Sequence, residues 1–231
     1  MGQHLELGYT WHLKGFDLFS GLGADELQEL ERGCRMMPLR RGAIVYLPGE
    51  KAEHVYALRS GVIKLGALDA DGREATLALL DPGELFGELE IIDGTARAHV
   101  ATAQSEATVS VIPRTTFLRL MKQHSDFAFR VSVRLGHKVQ EFQSKISCLV
   151  FKGAHSRLSE LLLELVRRYG EPASGGTRLR YRFSHRELAC LIGVARETVS
   201  YTMAEFRRDG LIATERGRIV VCKPELLAGR I

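Results

Sequence analysis

A short polar segment, residues 196–201, carries side chains that suit contact with DNA base edges. A guanidinium can donate to the two major-groove acceptors of guanine, and a carboxylate can accept from the amino group of cytosine, so Arg196 and Glu197 suit a G·C step. Spacings of four and three predict a helix here, with one apolar face. That face consists of Val199, Met203 and Phe206. The side chains predicted on or near the opposite face are Arg196, Glu197, Ser200 and Tyr201.

Hydroxyl and imidazole groups nearby suit contact with phosphate oxygens, which set the register of a protein on DNA without reading its sequence. The residues of this kind are Thr198, Ser184 and His185, with Arg186 beside them. Ser184 and Glu187 have the spacing of a capping box, which predicts the start of a helix, and Gly193 predicts its end. The second helix is predicted over residues 195–209.

The surrounding elements predict a winged helix-turn-helix domain over residues 153–231. A helix over 157–169, a loop at 171–176 and a strand at 178–183 precede the two short helices, and a β-hairpin over 212–221 that turns at Gly217 follows them. From His155 onward there are 14 Lys and Arg against 9 Asp and Glu, so the positive excess of the chain (+4) lies in this part. An Arg–Glu pair alone is more typical of a solvated helix face; the turn, the hairpin and the charge together favour DNA.

Residues 1–124 predict an antiparallel β-domain. Together with the helices predicted in the rest of the chain, this domain indicates the α+β fold class. Glycines punctuate the chain between about residues 33 and 94, and β-prone segments at 43–47, 54–59, 62–67, 75–80 and 107–113 lie mostly between them. Short strands at this spacing are typical of a jelly roll or double-sheet barrel. Residues 69–72 predict a hairpin turn, and residues 24–33 predict a leading helix that ends at a glycine.

A long helix is predicted over residues 125–152, after a short one at 115–124. It begins with Ser125 as its cap, and its pattern continues through Cys148. Apolar residues alternate spacings of four and three along it, which is the repeat of a coiled coil. These residues are Leu135, Val139, Phe142, Ile146 and Leu149. Because the helix connects two domains and has no partner adjacent in sequence, the repeat favours a symmetric dimer over packing within one chain.

Composition excludes several classes of protein. Apolar residues make up 45% and charged residues 26% of the chain, which is a globular balance without a membrane-length apolar run. The first residues lack a signal-peptide pattern, and the four cysteines are far apart, so a cytoplasmic protein is predicted. No catalytic or metal-ligating set is predicted, because a cupin-type enzyme needs clustered histidines and the predicted barrel has only His54 and His99.

Two segments resemble the CRP/FNR transcription regulators. Residues 183–200, FSHRELACLIGVARETVS, are similar to that family's helix-turn-helix, and residues 82–89, PGELFGEL, with Arg97-Ala98 are similar to its cyclic-nucleotide phosphate cassette. The resemblance covers about residues 16–221. It implies a homodimer on a two-fold symmetric DNA site with half-sites about 34 Å apart, and RNA polymerase as a further partner. A TGTGA-like half-site is implied, except that Tyr201 stands where cAMP-receptor relatives carry an arginine.

The resemblance also implies an effector site. Arg97 would neutralise a cyclic phosphate, Glu88 would accept from ribose hydroxyls, and Gly87 would allow close backbone approach. The complete implied set is Gly87, Glu88, Leu89, Arg97, Ala98, Phe142 and Gln143. Ala98 stands where cAMP-binding relatives have serine, and Phe142-Gln143 stand where they have the Thr-Ser pair that recognises adenine.

The nature of the effector therefore has alternatives. A cyclic nucleotide such as cAMP is favoured over a different ligand or none. Glu88 and Arg97 could instead form a buried ion pair that braces the barrel, and Phe142 could serve only in the dimer seam. An effector-independent or redox-responsive regulator, with Cys148 as the switch, is the alternative function. His54, His99, His124 or His137 could offer a nitrogen ligand to haem. Scattered histidines are, however, more often surface or hydrogen-bonded residues than ligands.

Overall fold

The computed structural model describes residue 13, residues 16–69 and residues 74–230, which form two compact units. The first unit contains the described residues up to Lys138, except Glu74–Thr76. The second unit contains Glu74–Thr76 and the residues from Val139 onward. Most of the hairpin turn predicted at 69–72 lies outside the described residues. No helix in the described part of the chain is long and apolar enough to cross a membrane.

In the part of the chain that the structure describes, eight strands and three α-helices come before the long helix. The strands are β1 (Arg35–Leu39), β2 (Ile44–Tyr46), β3 (His54–Ser60), β4 (Ile63–Leu68), β5 (Glu74–Leu80), β6 (Leu85–Phe86), β7 (Val100–Ala103) and β8 (Ala107–Pro113). The helices are α1 (Ala24–Gly33), α2 (Leu89–Asp93) and α3 (Arg114–Gln123), and a 3-10 turn spans Asp17–Phe19. The strands form two four-stranded sheets, in the orders β1-β8-β3-β6 and β2-β7-β4-β5. The predicted α+β fold with a double-sheet domain is confirmed.

Two apolar cores are present among the described residues of the first unit. One lies among the strands and contains Leu58, Ile63 and Phe86, each fully buried. The other contains aromatic rings from the helical elements: the rings of Phe19 and Phe127 stack at 5.6 Å between centroids, and Phe117 meets Phe127 edge-on at 5.8 Å. Phe127 belongs to the long helix α4 (Ser125–Phe151), so this second core anchors the start of α4 to the first unit.

Helix α4 extends three residues beyond Cys148, to Phe151, and Ser125 is its first residue. The second unit continues with α5 (Ala154–Tyr169), β9 (Gly170–Ala173), β10 (Gly176–Leu179), α6 (His185–Ile192), α7 (Arg196–Arg208), β11 (Ile212–Glu215), β12 (Arg218–Val221) and α8 (Pro224–Ala228). Its four strands form one antiparallel sheet in the order β11-β12-β10-β9. Two helices joined at a glycine and followed by a hairpin form the predicted winged helix-turn-helix.

The predicted loop at 171–176 is wrong, because most of it forms strand β9 and the start of β10. Pro172 argued against a strand, but β9 is at the edge of the sheet, where proline's missing N–H is tolerated. Gly176 lies against β12, and a Cβ at this position would lie 2.2 Å from the carbonyl oxygen of Val221. The strand predicted to reach Phe183 ends at Leu179.

Gly193 ends α6 in the left-handed region, with φ 65°, as predicted from its position. We expect Gly193→Ala to lower the free energy of unfolding by about 1–2 kcal/mol, because a side chain is disfavoured in this backbone conformation. Its Cβ would also approach Cδ2 of Leu149 to 3.1 Å. Urea denaturation at one protein concentration measures the change.

Gly175→Ala is the matched control, because nothing lies within 4 Å of a Cβ at that position. This control is expected to unfold like the parent protein. Equal losses in both variants, or no loss in Gly193→Ala, would contradict the assigned role of Gly193.

Candidate nucleic-acid interface and effector site

The start of α6 is held by the predicted capping box. Oγ of Ser184 accepts a hydrogen bond from the backbone N–H of Glu187 at 3.2 Å, and Oε2 of Glu187 accepts from the N–H of Ser184 at 2.6 Å. The Ser184 hydroxyl keeps its own proton for a further acceptor, and the residue is exposed. Arg186, on the next position but one, is exposed as well. Both side chains are therefore accessible to a phosphate.

Helix α7 buries its apolar face and exposes its N-terminal side chains. Val199, Met203 and Phe206 are each 1% exposed or less, as the spacing predicts. Arg196 and Glu197 are exposed at the first turn, and Tyr201 is 65% exposed. Thr198 and Ser200 are half-buried, and Thr202, which sequence reasoning did not single out, is buried with the apolar face.

A hydrogen-bond network connects α6 to α7. Nδ1 of His185 lies 2.8 Å from Oγ of Ser200, and Nη2 of Arg207 lies 3.4 Å from Nε2 of the same ring. Because a guanidinium only donates, Nε2 is the acceptor and the ring is neutral with its proton on Nδ1. Burial, followed by the charges of Arg207 and Arg196, lowers the pKa of His185. Ser200 is thus engaged within the domain.

The wing adds cations that sequence reasoning missed. The hairpin of β11 and β12 turns at Arg216 and Gly217, and Arg218 follows. Among the described residues other than glycine, Arg216 alone has a positive φ, of 50°. Arginines on both sides of the predicted turn glycine were the signal in the sequence that the wing tip is basic.

In the first unit, Arg97 is buried, with a side chain that is 1% exposed. Its Nη1 donates to the carbonyl oxygen of Gly87 at 2.7 Å and to Oε2 of Glu90 at 3.2 Å, and its Nη2 donates to the carbonyl oxygen of His54. The guanidinium carbon lies 4.3 Å from the centroid of the Tyr46 ring. The geometry accounts for Gly87, because a Cβ there would lie 2.8 Å from Nη1 of Arg97.

The alternative interpretation, an ion pair between Glu88 and Arg97, is wrong in its acidic partner. Arg97 pairs with Glu90, and Glu88 pairs with Lys138 of α4 at 2.7 Å between Oε1 and Nζ. Glu88 is 3% and Glu90 5% exposed. The sequence analysis missed Glu90 and Lys138. The signal that could have identified Glu90 as a partner for Arg97 was its carboxylate, only two positions after Glu88.

The other residues of the implied effector set have different surroundings. The backbone N–H of Ala98 donates to Oε1 of Glu90 at 3.4 Å, and Leu89 is 46% exposed. Phe142 and Gln143 belong to the second unit, where both are exposed. The structure therefore brings together Gly87, Arg97 and Ala98 around Glu90.

The predicted dimer residues are largely uncovered in the single chain. The exposed fractions are 54% for Val139, 37% for Phe142, 60% for Ile146 and 41% for Leu149. Leu135 differs, because it packs against the helical core of the first unit. Val150 and Phe151, outside the predicted repeat, are 67% and 83% exposed.

Two of the thiols have raised pKa values and are therefore protonated at neutral pH. Burial raises the pKa of Cys34 to about 12. Burial, together with a hydrogen bond to Glu160, also raises the pKa of Cys148, and its Sγ lies 3.2 Å from Oε2 of that carboxylate. Within the described residues, no group of three or more His, Cys, Asp or Glu side chains is arranged to hold a metal ion.

Comparisons with known proteins match both units. Residues 36–124 match the family model of the cyclic nucleotide-binding domain, and residues 156–230 match that of the Crp-like helix-turn-helix domain. The chain is 27% identical over 213 residues to a CRP-like cAMP-activated global transcriptional regulator of Mycobacterium tuberculosis, covering 92% of this chain and 95% of the relative. It is 30% identical over 215 residues to a cyclic AMP receptor protein of Thermus thermophilus, covering 93% and 96%.

A solved structure agrees with these matches. The crystal structure of a CRP-family transcriptional regulator from Thermus thermophilus superposes with a TM-score of 0.73 at 31% identity, covering 84% of this chain and 96% of the other. The similarity in sequence and in structure thus extends over both units.

The ionisation of Glu90 generates a test. Burial alone would raise its pKa, but hydrogen bonds from His99, backbone N–H groups and Arg97 outweigh burial and lower the pKa to about 2. A lowered pKa stabilises the folded chain above the ordinary value of about 4.5, and this stabilisation is lost as the pH falls toward 2. We expect Glu90→Gln to unfold about 3 kcal/mol more easily at neutral pH. The difference should shrink between about pH 4.5 and 2.

Urea denaturation of both proteins over this pH range is the measurement. Glu29→Gln is the control, because Glu29 forms an exposed pair with Arg119 at 2.8 Å, and such pairs contribute at most about 1 kcal/mol. A difference for Glu90→Gln that stays constant with pH, or equals that of the control, would contradict a lowered pKa.

Proposed function

We propose that this chain is a homodimeric, sequence-specific DNA-binding regulator. The proposal starts from its family, because the chain belongs to the CRP/FNR transcription regulators. The observation that supports this most directly is the first turn of α7. There Arg196 and Glu197 are exposed while the apolar face of the same helix is buried. A helix held in this way can enter a major groove with its N-terminal side chains toward the bases.

Base recognition is assigned to the first two turns of α7. Arg196 donates to O6 and N7 of a guanine, and Glu197 accepts from N4 of a cytosine. Tyr201 lies on the same exposed side and occupies the position where cAMP-receptor relatives carry a base-reading arginine. Its phenol cannot donate two parallel hydrogen bonds to guanine, so the half-site differs from TGTGA at that position.

Phosphate contacts are assigned to the surrounding polar groups. The Ser184 hydroxyl retains a proton to donate, and Arg186 and the wing arginines Arg216 and Arg218 add positive charge. The predicted contact of Thr198 belongs to this set. Both ring nitrogens of His185 are engaged within the domain, so His185 contributes by holding the guanidinium of Arg207 in place. Ser200 acts by holding His185 in place. These contacts fix the register of the domain and contribute most of its salt dependence.

The dimer is assigned to α4. Four large apolar side chains at heptad spacing are exposed in the single chain, and an exposed apolar stripe of this kind is typical of an interaction surface. A second copy of the same helix would cover the four side chains symmetrically. The two-fold axis then presents two α7 helices to half-sites about 34 Å apart. This function implies a cytoplasmic location and contact with RNA polymerase.

The proposal includes control by an effector. Of the alternatives, a redox switch at a cysteine has the least support. A thiolate is the reactive species of cysteine, and the pKa values of Cys34 and Cys148 are both raised. A metal-dependent enzyme finds no support either, since the family consists of transcription regulators. The remaining alternatives are a cyclic nucleotide and no anionic effector.

Arg196→Ala tests the assigned DNA contact. We expect specific binding to weaken by about 1–3 kcal/mol and the preference for one G·C pair to relax, because the bidentate donor is lost. Selection from random duplexes, followed by gel-shift titration of the selected and a scrambled site, measures both effects. Arg167→Ala, exposed on α5, is the matched control and should bind as the parent protein does. Equal loss on selected and scrambled DNA would contradict base reading by Arg196.

Ile146→Asp tests the dimer. Because Ile146 is 60% exposed in the single chain, the change should leave each chain folded, but it places two carboxylates in the apolar seam. We expect the dissociation constant of the dimer to rise at least about 100-fold, measured by sedimentation equilibrium. Gln140→Glu adds the same charge at an exposed position outside the repeat and should leave the dimer intact. A monomeric parent protein, or an unchanged dimer in Ile146→Asp, would refute the assigned seam.

A further inference from the structure

We propose that Glu90 closes the anion site of the first unit, so that this chain does not bind cyclic nucleotides there. The carboxylate of Glu90 takes the place, beside the Arg97 guanidinium, that a ligand phosphate would need. This inference concerns the first unit alone and does not depend on whether α7 binds DNA.

The first argument is the number of acceptors around Arg97. Its two terminal nitrogens donate to three internal oxygens, those of Gly87, His54 and Glu90. The ring of Tyr46 covers one face of the guanidinium at 4.3 Å. With its side chain 1% exposed, Arg97 has no access to solvent, and both of its terminal nitrogens are engaged by the protein itself. Its Nε is buried without a hydrogen-bond partner.

The second argument is charge. A buried guanidinium needs one counter-charge, and the Glu90 side chain, 7% exposed, supplies it at 3.2 Å. A cyclic phosphate at the same cation would place a second anion beside a carboxylate that stays ionised, since the pKa of Glu90 is about 2. Two buried anions that share one cation repel each other strongly. An anionic ligand must therefore displace Glu90 before it can bind.

The third argument is that Glu90 is held on both of its oxygens. Oε2 accepts from Arg97, and Oε1 accepts from the backbone N–H of Ala98 at 3.4 Å and lies 3.8 Å from Nδ1 of His99. The Ala98 N–H is thereby directed to the protein's own carboxylate, and alanine has no hydroxyl to offer a phosphate. Displacing Glu90 would cost all of these contacts together.

The fourth argument comes from the neighbouring carboxylate. Glu88, the expected acceptor for ribose hydroxyls, pairs through Oε1 with Nζ of Lys138, and this ammonium also donates to the carbonyl oxygen of Leu85 at 2.9 Å. Oε2 of Glu88 is buried without a hydrogen-bond partner. This oxygen remains available to accept from a hydroxyl, whereas the cation that a phosphate needs is already paired with Glu90. It is therefore the phosphate of a cyclic nucleotide, and not its ribose, that the residues do not fit.

Calorimetric titration of the full-length protein with cAMP and with cGMP, each to about 1 mM, tests the proposal. The parent protein should show no binding in this range. Glu90→Ala removes the internal anion and should bind at least one of the two nucleotides at least about tenfold more tightly than that limit. Adding Arg97→Ala to this variant should abolish the gain, because the freed cation is then gone.

Glu90→Gln keeps the size of the side chain and removes only its charge, so it replaces Glu90→Ala if that variant does not fold, as judged by circular dichroism. Glu106→Ala, at an exposed carboxylate of the same unit, is the matched control and should remain unresponsive. Binding of either nucleotide by the parent protein with a dissociation constant below about 100 μM, abolished by Arg97→Ala, would overturn the proposal. Folded Glu90 variants that bind no better than the parent would overturn it too. A gel shift on the same samples reports the DNA-binding function separately.

Discussion

A buried positive charge organises the first unit. Arg97 lies where the two sheets approach each other: it donates to a carbonyl at the start of β3, contacts the Tyr46 ring on β2, and bonds to Gly87 directly after β6. Strands β3 and β6 belong to one sheet and β2 to the other. A guanidinium at this depth is tolerated only if a negative charge comes with it, and α2 supplies that charge through Glu90. The charge requirement and the packing of the sheets are therefore met by one side chain.

The helix-turn-helix was predictable because its determinants are local. Ser184, Glu187 and Gly193 act within a few residues of themselves, through a capping box and a left-handed C-terminal residue, and the period of the apolar residues on α7 is set by the helix alone. Strands β6 and β7 were harder to find, because they contain two and four residues and show no alternation of their own. Strand β9 was misassigned because its proline is tolerable only at an edge, and being at an edge is a property of the sheet.

The partner of Arg97 was not predictable for a related reason. Glu88 and Glu90 are equally plausible partners in the sequence. Residues two apart on a helix are rotated by about 200° around its axis and therefore point to nearly opposite sides, so only one of them can face a given cation. Helix α2 begins directly after Glu88, and this rotation directs Glu90 to Arg97 and Glu88 to Lys138. A similar limit applies to Ser200, whose hydroxyl points to His185 across the turn. Such choices depend on how elements pack, and a motif does not record them.

The ion pair between Glu88 and Lys138 joins α4 to the first unit at the point where the packing of this helix changes. Leu135, one turn earlier, packs into the helical core, whereas Val139, the next residue, is 54% exposed. The helix thus passes from intramolecular packing to an uncovered apolar face within one turn, and the ion pair lies at that transition. Because Glu88 and Lys138 are largely buried, changing either charge disturbs α4 where its exposed apolar face begins. A change of charge at Glu88 therefore acts on α4 directly through Lys138, at the turn where the exposed apolar residues begin.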